Sequence, residues 1–353
     1  MNKAKTIIGL DVGHSRVKVV VANTHSPTDR NHFSFPTLVS NWTRLSDDAS
    51  AAQAEKDTVE VDGRRFFVGQ TVLLQENPQA FMGVHFDWFE KLSPQYGALT
   101  KAAFQKARRY IPPSGGEILV IAGLPSEATK ENRAFVRSLT MRLLTPLMQI
   151  GETLKVSVVS QASAPIFHVL FGDDGAYNPN FRQDAATVTS EINGEVVEKD
   201  VPATTYGVIE VGHLTTDYTV LAGLYGIENA SVSTPGVYKT FEKLQAELRH
   251  GGFYDDLNSV TNALIERTVD GQDVAGIVKS ASQNLIDDTV STAKEAFSNR
   301  RLDGILVAGG GASLVFGAVK ALFPKAEMIK NSRLAVAEGY VRLGLAKTME
   351  QVS

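Results

Sequence analysis

The sequence contains no cysteine, and this absence excludes several kinds of site. Disulfide-stapled scaffolds, zinc sites with thiolate ligands and cysteine nucleophiles all need a residue that the chain does not have. Basic charge is also in short supply, because 35 Lys and Arg residues face 39 Asp and Glu residues, for a formal net charge of −4. The chain therefore has no overall basic footprint of the kind that bulk nucleic-acid binding requires.

Long apolar runs are missing as well. No stretch of about 18 apolar residues occurs, so no membrane-spanning helix is predicted. The N-terminus leads straight into a strand pattern at residues 6–10 rather than into the apolar region of a signal peptide. We therefore predict a cytoplasmic protein without membrane contact.

The composition that remains is ordinary for a globular protein. The chain has 353 residues, of which 43% are hydrophobic and 21% charged, and this length predicts about two domains. Strand and helix patterns alternate, which is typical of an α/β protein. Strands are predicted at residues 6–10, 17–21, 58–68 (a hairpin turning at Asp62-Gly63), 117–122, 154–159, 208–220 (strand–turn–strand) and 305–307. Helices are predicted at residues 99–111, 129–150, 163–171, 239–249, 259–266, 277–298, 312–322 and 335–348, and a polar loop at 23–31.

One short pattern occurs twice in the chain. An apolar strand, an acidic residue, Val-Gly-His and a second strand follow each other at Asp11 and again at Glu210, 199 residues later. Glycine lets a backbone approach closely, turn N–H groups bind phosphate oxygens, and a carboxylate holds Mg²⁺ directly or through water. Either copy alone is more typical of an ordinary surface hairpin. Two copies in register predict two phosphate-binding loops.

A third element lies at residues 305–312, where a strand runs through three consecutive glycines into a helix. Helix N-termini favour anions, and glycine permits close contact with a ribose or an α-phosphate. The same residues are equally typical of a plain tight turn. They form neither a dinucleotide fingerprint nor a P-loop, since no G-x-x-x-x-G-K-[ST] occurs.

The order of the three elements resembles the actin/Hsp70/sugar-kinase ATPase superfamily, where they are the phosphate-1, phosphate-2 and adenosine motifs. Residues 156–165 and 335–344 resemble the two connecting segments of that superfamily, so the resemblance covers about residues 6–345. It implies two RNase H-like (actin-fold) domains with a nucleotide cleft between them. Within the superfamily the chain looks most like the bacterial and archaeal actin-like proteins of the plasmid-segregation (ParM-like) group. The supporting pieces lie at residues 33–36, 61–69 and 121–125.

The resemblance also implies domain limits. Domain I is expected at residues 1–165 plus 335–353, with a small subdomain inserted at about 31–114. Domain II is expected at 166–334, with a small subdomain at about 237–300.

Particular residues receive roles from the same resemblance. The expected catalytic set is Asp11, Glu210 and Gln161: the two acids would hold Mg²⁺ through water, and Gln161 would help to orient the attacking water. The expected nucleotide-binding residues are Gly13, His14, Ser15, Arg16 and Lys18 in the first loop; Gly212, His213, Thr215, Thr216 and Asp217 in the second; and Gly309, Gly310, Gly311 and Ala312 in the third element. Glu210 stands where the family usually has Asp, and a carboxylate shifted by about 1 Å can cost about 10²-fold in rate, so slow hydrolysis is one expectation.

The implied function is a nucleotide-dependent filament. ATP (with GTP possible) and Mg²⁺ are the expected cofactors, and ATP binding would favour head-to-tail self-association, which is a heterologous contact that does not close. Hydrolysis would weaken the filament. The expected cargo is plasmid or other replicon DNA, reached through a DNA-binding adaptor rather than by direct nucleic-acid contact. Two alternatives remain: a non-polymerising actin-like ATP-binding regulator or scaffold, and a small-molecule kinase or phosphatase of the same superfamily.

Three further features keep more than one interpretation. Residues 172–200 form a loop near the cleft, a partner contact or a disordered decoration, the last being the default, with a hairpin expected at Asn193-Gly194. His14 and His213 are interpreted as loop residues beside phosphates rather than as a metal pair. An aromatic group is interpreted as the core of a small subdomain, with an exposed assembly surface as the alternative; it comprises Trp42, Phe81, Phe86, Trp88 and Phe89.

Overall fold

The structure is a computed structural model, and it describes residues 5–45, 47–74, 94–113, 115–125, 128–192, 195–227, 230–255 and 257–350. The chain divides into two compact units. The first comprises Met1–Asn178 and Leu334–Ser353, and the second comprises Pro179–Arg333. The chain thus leaves the first unit once, builds the second, and returns.

Strands and helices alternate along the described chain, as predicted for an α/β protein. The strands are β1 Thr6–Val12, β2 Arg16–Asn23, β3 Ser26–Pro36, β4 Val39–Asn41, β5 Thr58–Val61, β6 Arg64–Val68, β7 Gly116–Leu124, β8 Glu152–Ser160, β9 Ala186–Ile192, β10 Glu195–Val201, β11 Thr205–Val211, β12 Thr215–Ala222, β13 Tyr225–Gly226, β14 Val232–Pro235, β15 Thr268–Val269, β16 Gln272–Asp273, β17 Gly304–Ala308 and β18 Ala326–Met328. The α-helices are α1 Asp48–Glu55, α2 Pro94–Ala107, α3 Lys130–Leu144, α4 Phe167–Leu170, α5 Tyr238–His250, α6 Leu257–Glu266, α7 Ala275–Phe297, α8 Ala312–Leu322 and α9 Ala335–Glu350. Short 3₁₀ helices lie at Gly69–Leu74, Arg108–Tyr110, Thr145–Leu147, Gln161–Ile166 and Ser332–Leu334.

The main sheet of the first unit has the order β3-β2-β1-β7-β8. Strands β1, β2 and β3 form an antiparallel meander, whereas β7 runs parallel to both β1 and β8. The predicted loop at residues 23–31 is wrong, because β3 begins at Ser26 and pairs along β2. This strand lies at the edge of the sheet with most of its residues exposed, so it carries no buried apolar alternation that a sequence pattern could reveal.

Helix α9 packs directly onto the sheet of the first unit. A Cβ placed on Gly9 of β1 would lie 2.1 Å from the carbonyl oxygen of Ala337, and one on Gly344 would lie 2.3 Å from Cγ2 of Ile7. Glycine at these two positions is what allows backbone and helix to approach so closely. The last helix of the chain is thereby joined to its first strand.

A second, small sheet of the first unit has the order β4-β6-β5. The hairpin predicted to turn at Asp62-Gly63 is confirmed, and both residues have positive φ, 51° and 74°. Trp42 is 39% exposed, and its ring lies 6.4 Å from that of Phe67. The other four members of the predicted aromatic group lie outside the described residues.

The sheet of the second unit repeats this arrangement. Its order is β13-β12-β11-β17-β18, with β14 also paired to β12. Asp11 pairs with Lys18 across β1 and β2, and Glu210 pairs with Asp217 across β11 and β12. The internal repeat predicted from the sequence is confirmed, since the same offset of 199 residues relates both members of each pair.

Residues 172–200 were expected to be disordered by default, but the structure has two paired strands in this segment. Strands β9 and β10 form an antiparallel hairpin whose register runs from Ile192 opposite Glu195 to Ala186 opposite Val201. The two predicted turn residues, Asn193 and Gly194, lie outside the described residues.

The helix predicted at 163–171 is largely a 3₁₀ helix, Gln161–Ile166, followed by the single turn of α4. Pro165 has no backbone N–H, so a regular α-helix cannot run through this segment. The helix predicted at 129–150 is shorter in the structure, because α3 ends at Leu144 and Pro146 lies in the 3₁₀ turn that follows. No helix in the described ranges is long and apolar enough to cross a membrane.

Candidate functional site

The first hairpin loop joins β1 to β2 and contains the first group of predicted site residues. Asp11, at the end of a fully buried strand, is only 3% exposed. Lys18 donates a hydrogen bond from Nζ to Asp11 Oδ2 at 2.8 Å. The backbone N–H of Gly13 donates to the carbonyl oxygen of Arg16 at 3.2 Å, which closes the turn. The loop therefore presents a charge-assisted carboxylate–ammonium pair next to a glycine turn.

Contacts from β3 and the residue after it hold this loop in place. Thr37 donates from Oγ1 to the carbonyl oxygen of Gly13 at 2.7 Å, and its N–H donates to that of Ser15 at 3.0 Å. The guanidinium of Arg16 donates to Oγ and to the carbonyl oxygen of Ser34, at 3.0 and 3.2 Å. The structure thus places Arg16 as an anchor of the loop on β3. The sequence does not indicate that Thr37 and Ser34 support this loop. Their contacts depend on the position of β3, a strand that the sequence pattern did not predict.

Gln161 and Asp11 both lie where the parallel strands of the sheet have their carboxyl ends. Parallel pairing aligns Leu10 with Ala122 and Ala122 with Val158, so β1, β7 and β8 all end at one edge. Gln161 follows β8 directly, and its Cα lies 3.4 Å from a Cβ built on Gly123 of β7. The carboxyl ends of parallel strands are the usual place for a ligand in an open α/β sheet.

The second hairpin loop joins β11 to β12 and packs on the start of α5. Glu210 is 8% exposed, and the N–H of Gly212 donates to the carbonyl oxygen of Thr215 at 2.8 Å, as Gly13 does in the first loop. The N–H groups of Val237 and Tyr238 donate to the carbonyl oxygens of Gly212 and His213, at 3.1 and 2.9 Å. The two loops share one backbone geometry but have different supports.

The side chains after the second turn face in different directions. Thr215 donates from Oγ1 to Asp217 Oδ2 at 2.9 Å, and Ser233 of β14 donates to the other carboxylate oxygen of Asp217. Thr216 is fully buried, and its Oγ1 has no hydrogen-bond partner within the described structure. Thr216 therefore occupies the interior, in the place that Val17 has in the first copy, and the structure does not bring its hydroxyl to the loop surface.

Electrostatics distinguish the two copies. The residue opposite Asp11 is a lysine, whereas the residue opposite Glu210 is Asp217, a second acid. Burial lowers the pKa of His213 in the second turn, so its ring is neutral at pH 7. Burial, and next the negative charge of Asp11, raise the pKa of Tyr96 on α2 to about 12, so that phenol stays protonated.

The third element packs against the second hairpin. Gly309 has φ of +93°, and its N–H donates to the carbonyl oxygen of Ser332 at 2.9 Å. Gly311 donates from its N–H to the carbonyl oxygen of Val211 at 3.0 Å. Gly310 is exposed, and Ala312 is the buried first residue of α8. The structure thus brings together the second and third predicted motifs, Val211 being the residue that links them.

The donor chemistry of the two acids suits Mg²⁺. Asp11 and Glu210 offer hard carboxylate oxygens at strand ends. Across the described ranges, no cluster of three or more His, Asp and Glu side chains forms a metal cage. Mg²⁺ is usually bound by one or two carboxylates together with water and substrate phosphates, so the carboxylate of either residue is a suitable ligand for the ion.

Comparison with known proteins gives one family and a set of similar folds. The family described as the N-terminal domain of actin-like proteins matches residues 9–164. No curated protein matches the chain in sequence. Similar solved structures are the apo psk41 ParM protein (15% identity, TM-score 0.67, covering 99% of both chains) and Bacillus thuringiensis ParM with AMPPNP (14%, 0.64, covering 99% of this chain and 100% of that one). The MamK double helical filament is similar at 16% identity and a TM-score of 0.60, covering 96% of this chain and 98% of that one.

The structural similarity at TM-scores of 0.60–0.67 establishes the fold, and the family match covers residues 9–164. The resemblance predicted from the three motifs is confirmed. The described chain has the actin-like fold, and its residues 9–164 match the family described as the N-terminal domain of actin-like proteins.

Proposed function

We propose that this protein is a cytoplasmic, nucleotide-dependent filament-forming ATPase that segregates plasmid or other replicon DNA through an adaptor. The observation that carries the proposal is the repeated hairpin, in which a nearly buried acid ends a strand beside a glycine turn in both units. Two similar folds support it, since one ParM structure contains AMPPNP and the MamK structure is a filament. The net charge of −4 is consistent with contact to DNA through an adaptor.

We assign the phosphates of ATP to the two hairpin loops and the nucleoside to the third element. Lys18 would move from Asp11 to the terminal phosphates, because a phosphate offers the ammonium more negative charge than one carboxylate does. Mg²⁺, held through water by Asp11 and Glu210, would neutralise phosphate charge. Gln161 would orient the attacking water, and positioning of this kind accounts for most of the catalysis in phosphoryl transfer.

The first test is light scattering of the purified protein with Mg-ATP, Mg-ADP or no nucleotide, followed by electron microscopy. We expect a prompt rise and filaments with Mg-ATP alone. Lys18→Met should remove the rise, because the terminal phosphate loses its cation. Lys279→Met, which removes an exposed lysine from α7, is the matched control and should polymerise normally.

Nucleotide affinity measured on the same samples separates the alternatives. ATP binding without scattering at any protein concentration would contradict filament formation and favour the regulator, for which the longer side chain of Glu210 is the specific argument. Absence of nucleotide binding would overturn the whole proposal.

A further inference from the structure

Strand β8 is the last strand in the main sheet of the first unit, and among the described residues no strand pairs with its outer side. Within the described residues it pairs with β7 alone, along all nine of its residues. A strand with one open side presents a row of backbone N–H and C=O groups to a further strand. Proteins often use such an edge to bind an extended peptide, with main-chain hydrogen bonds supplying affinity and alternate side chains supplying specificity.

A groove of about 220 Å³ follows this edge. Its walls come from both faces of the sheet, with Arg137 and Met141 on α3 at one side and Lys347 on α9 at the other. Lys155 and Ser157 of β8 lie along its floor. This volume is below the ~300–1,000 Å³ of ordinary small-molecule sites, which favours peptide side chains as the occupant.

The groove is cationic in an acidic protein. Among the described residues that line the groove, Arg137, Lys155 and Lys347 lie with one carboxylate, Glu117, which pairs with Lys155 at 2.6 Å and with Lys5 at 3.7 Å. Arg137 is exposed and has no ion-pair partner in the part of the chain that the structure describes. Lys347 donates to Ser157 Oγ at 3.3 Å, so its ammonium is held close to the open edge. Positive charge therefore lines both sides of a strand that can accept another strand.

We propose that this groove binds an extended acidic segment of a partner protein, which adds to β8 as a further strand. An acidic peptide satisfies both features, because its backbone pairs with the edge and its carboxylates meet the three cations. A nucleic acid would satisfy only the charge, since a phosphate backbone cannot continue the hydrogen-bond ladder of a sheet. The groove consists of first-unit residues only, none of which belongs to the proposed nucleotide site, so this inference stands independently of the proposed function.

The test uses the full chain without nucleotide and a fluorescent peptide as long as β8, in which glutamate and valine alternate. Fluorescence anisotropy should show binding that weakens with added salt. A matched peptide with lysine for each glutamate should not bind. Failure of the acidic peptide to bind, or equal binding of both peptides, would overturn the proposal.

Charge reversal locates the site. Arg137→Glu and Lys347→Glu each remove one attraction and add one repulsion, so each should weaken binding by about tenfold. Lys279→Glu reverses an exposed lysine on α7 and is the matched control, for which we expect unchanged affinity. Equal losses in all three variants would show nonspecific attraction and contradict the site.

Amide hydrogen exchange tests the mode of binding. Bound peptide should slow the exchange of outward-facing amides of β8, because these gain hydrogen bonds. Binding without protection of β8, or stronger binding of a single-stranded oligonucleotide than of the peptide, would overturn strand addition.

Discussion

At the scale of single residues, the three consecutive glycines have different surroundings. A Cβ on Gly309 would lie 2.4 Å from the carbonyl oxygen of Val211, and one on Gly311 would lie 2.4 Å from Cγ2 of Val237. A Cβ on Gly310 would have no neighbour within 4 Å. Two of the glycines thus permit packing on the second hairpin, and the middle one leaves an open surface for a ligand.

Gly309→Ala should therefore destabilise the second unit. The added methyl collides with the backbone of Val211, and φ of +93° is a conformation that alanine rarely adopts, so we expect a loss of at least ~2 kcal/mol. Gly310→Ala is the control and should change stability by less than ~0.5 kcal/mol. Urea unfolding followed by circular dichroism measures both, and equal effects would contradict the packing described for Gly309.

The acids of the site could be predicted from the sequence, but their supporting residues could not. Asp11 and Glu210 each interrupt an apolar strand next to a glycine, and such a break is visible in a local pattern. Thr37 and Ser233 contact the loops through hydroxyl groups 24 and 16 residues away from their partners. Nothing in the local sequence around either residue indicates such a contact.

At the scale of elements, the helix α9 is fixed by contacts from α4 and β3. His168 Nε2 bonds to the carbonyl oxygen of Ala335 at 2.8 Å, which requires a proton on that nitrogen. Arg342 donates to the carbonyl oxygen of Phe171 at 2.6 Å, and Arg30 of β3 forms an ion pair with Glu338. Burial, assisted by the positive charges of Arg342 and Arg30, lowers the pKa of His168 to about 4.

This pKa predicts a pH dependence of stability. The unfolded histidine has a pKa of about 6.5 and therefore binds a proton more readily than the folded one. Stability is complete above about pH 6.5 and falls as the pH drops towards 4, by about 3 kcal/mol in total. His168→Gln, which keeps a donor for Ala335, should flatten this part of the profile. An unchanged slope in the variant, measured by urea unfolding at several pH values, would show that other groups cause it.

The sequence predicts elements with a buried apolar pattern well, but it does not predict an edge strand whose residues are polar and exposed. Strands β1, β7, β11 and β17 were all found, because each is almost entirely buried. Strand β3 was missed because its exposed polar residues resemble a loop, and its pairing is set by β2. The 3₁₀ conformation of Gln161–Ile166 was missed although Pro165 signals it.

At the scale of the whole molecule, the hairpins of the two units have the same strand pairing but carry different charged side chains. The first hairpin combines an acid with a lysine, and the second combines two acids. The proposed function assigns one nucleotide to both hairpins, and a ligand that binds only the folded protein stabilises it.

Mg-ATP should therefore raise the midpoint of thermal unfolding. At a concentration about 100 times the Kd, a ligand stabilises the folded protein by ~2.7 kcal/mol. Removing Mg²⁺ with EDTA should cancel much of this gain, and Asp11→Asn should have the same effect. Asp288→Asn, at an exposed position on α7, should keep the full response. An identical shift with and without EDTA would contradict a role for Mg²⁺.

The return of the chain to its first unit has a consequence for synthesis on the ribosome. Helix α9 packs on β1, yet it is translated only after the whole of Pro179–Arg333. The second unit is one continuous segment and can fold as soon as it emerges, whereas the sheet around β1 must wait for its final helix. The nascent first unit thus exposes the apolar surface around Ile7 until α9 has been translated, and in that interval the surface is open to association with other chains.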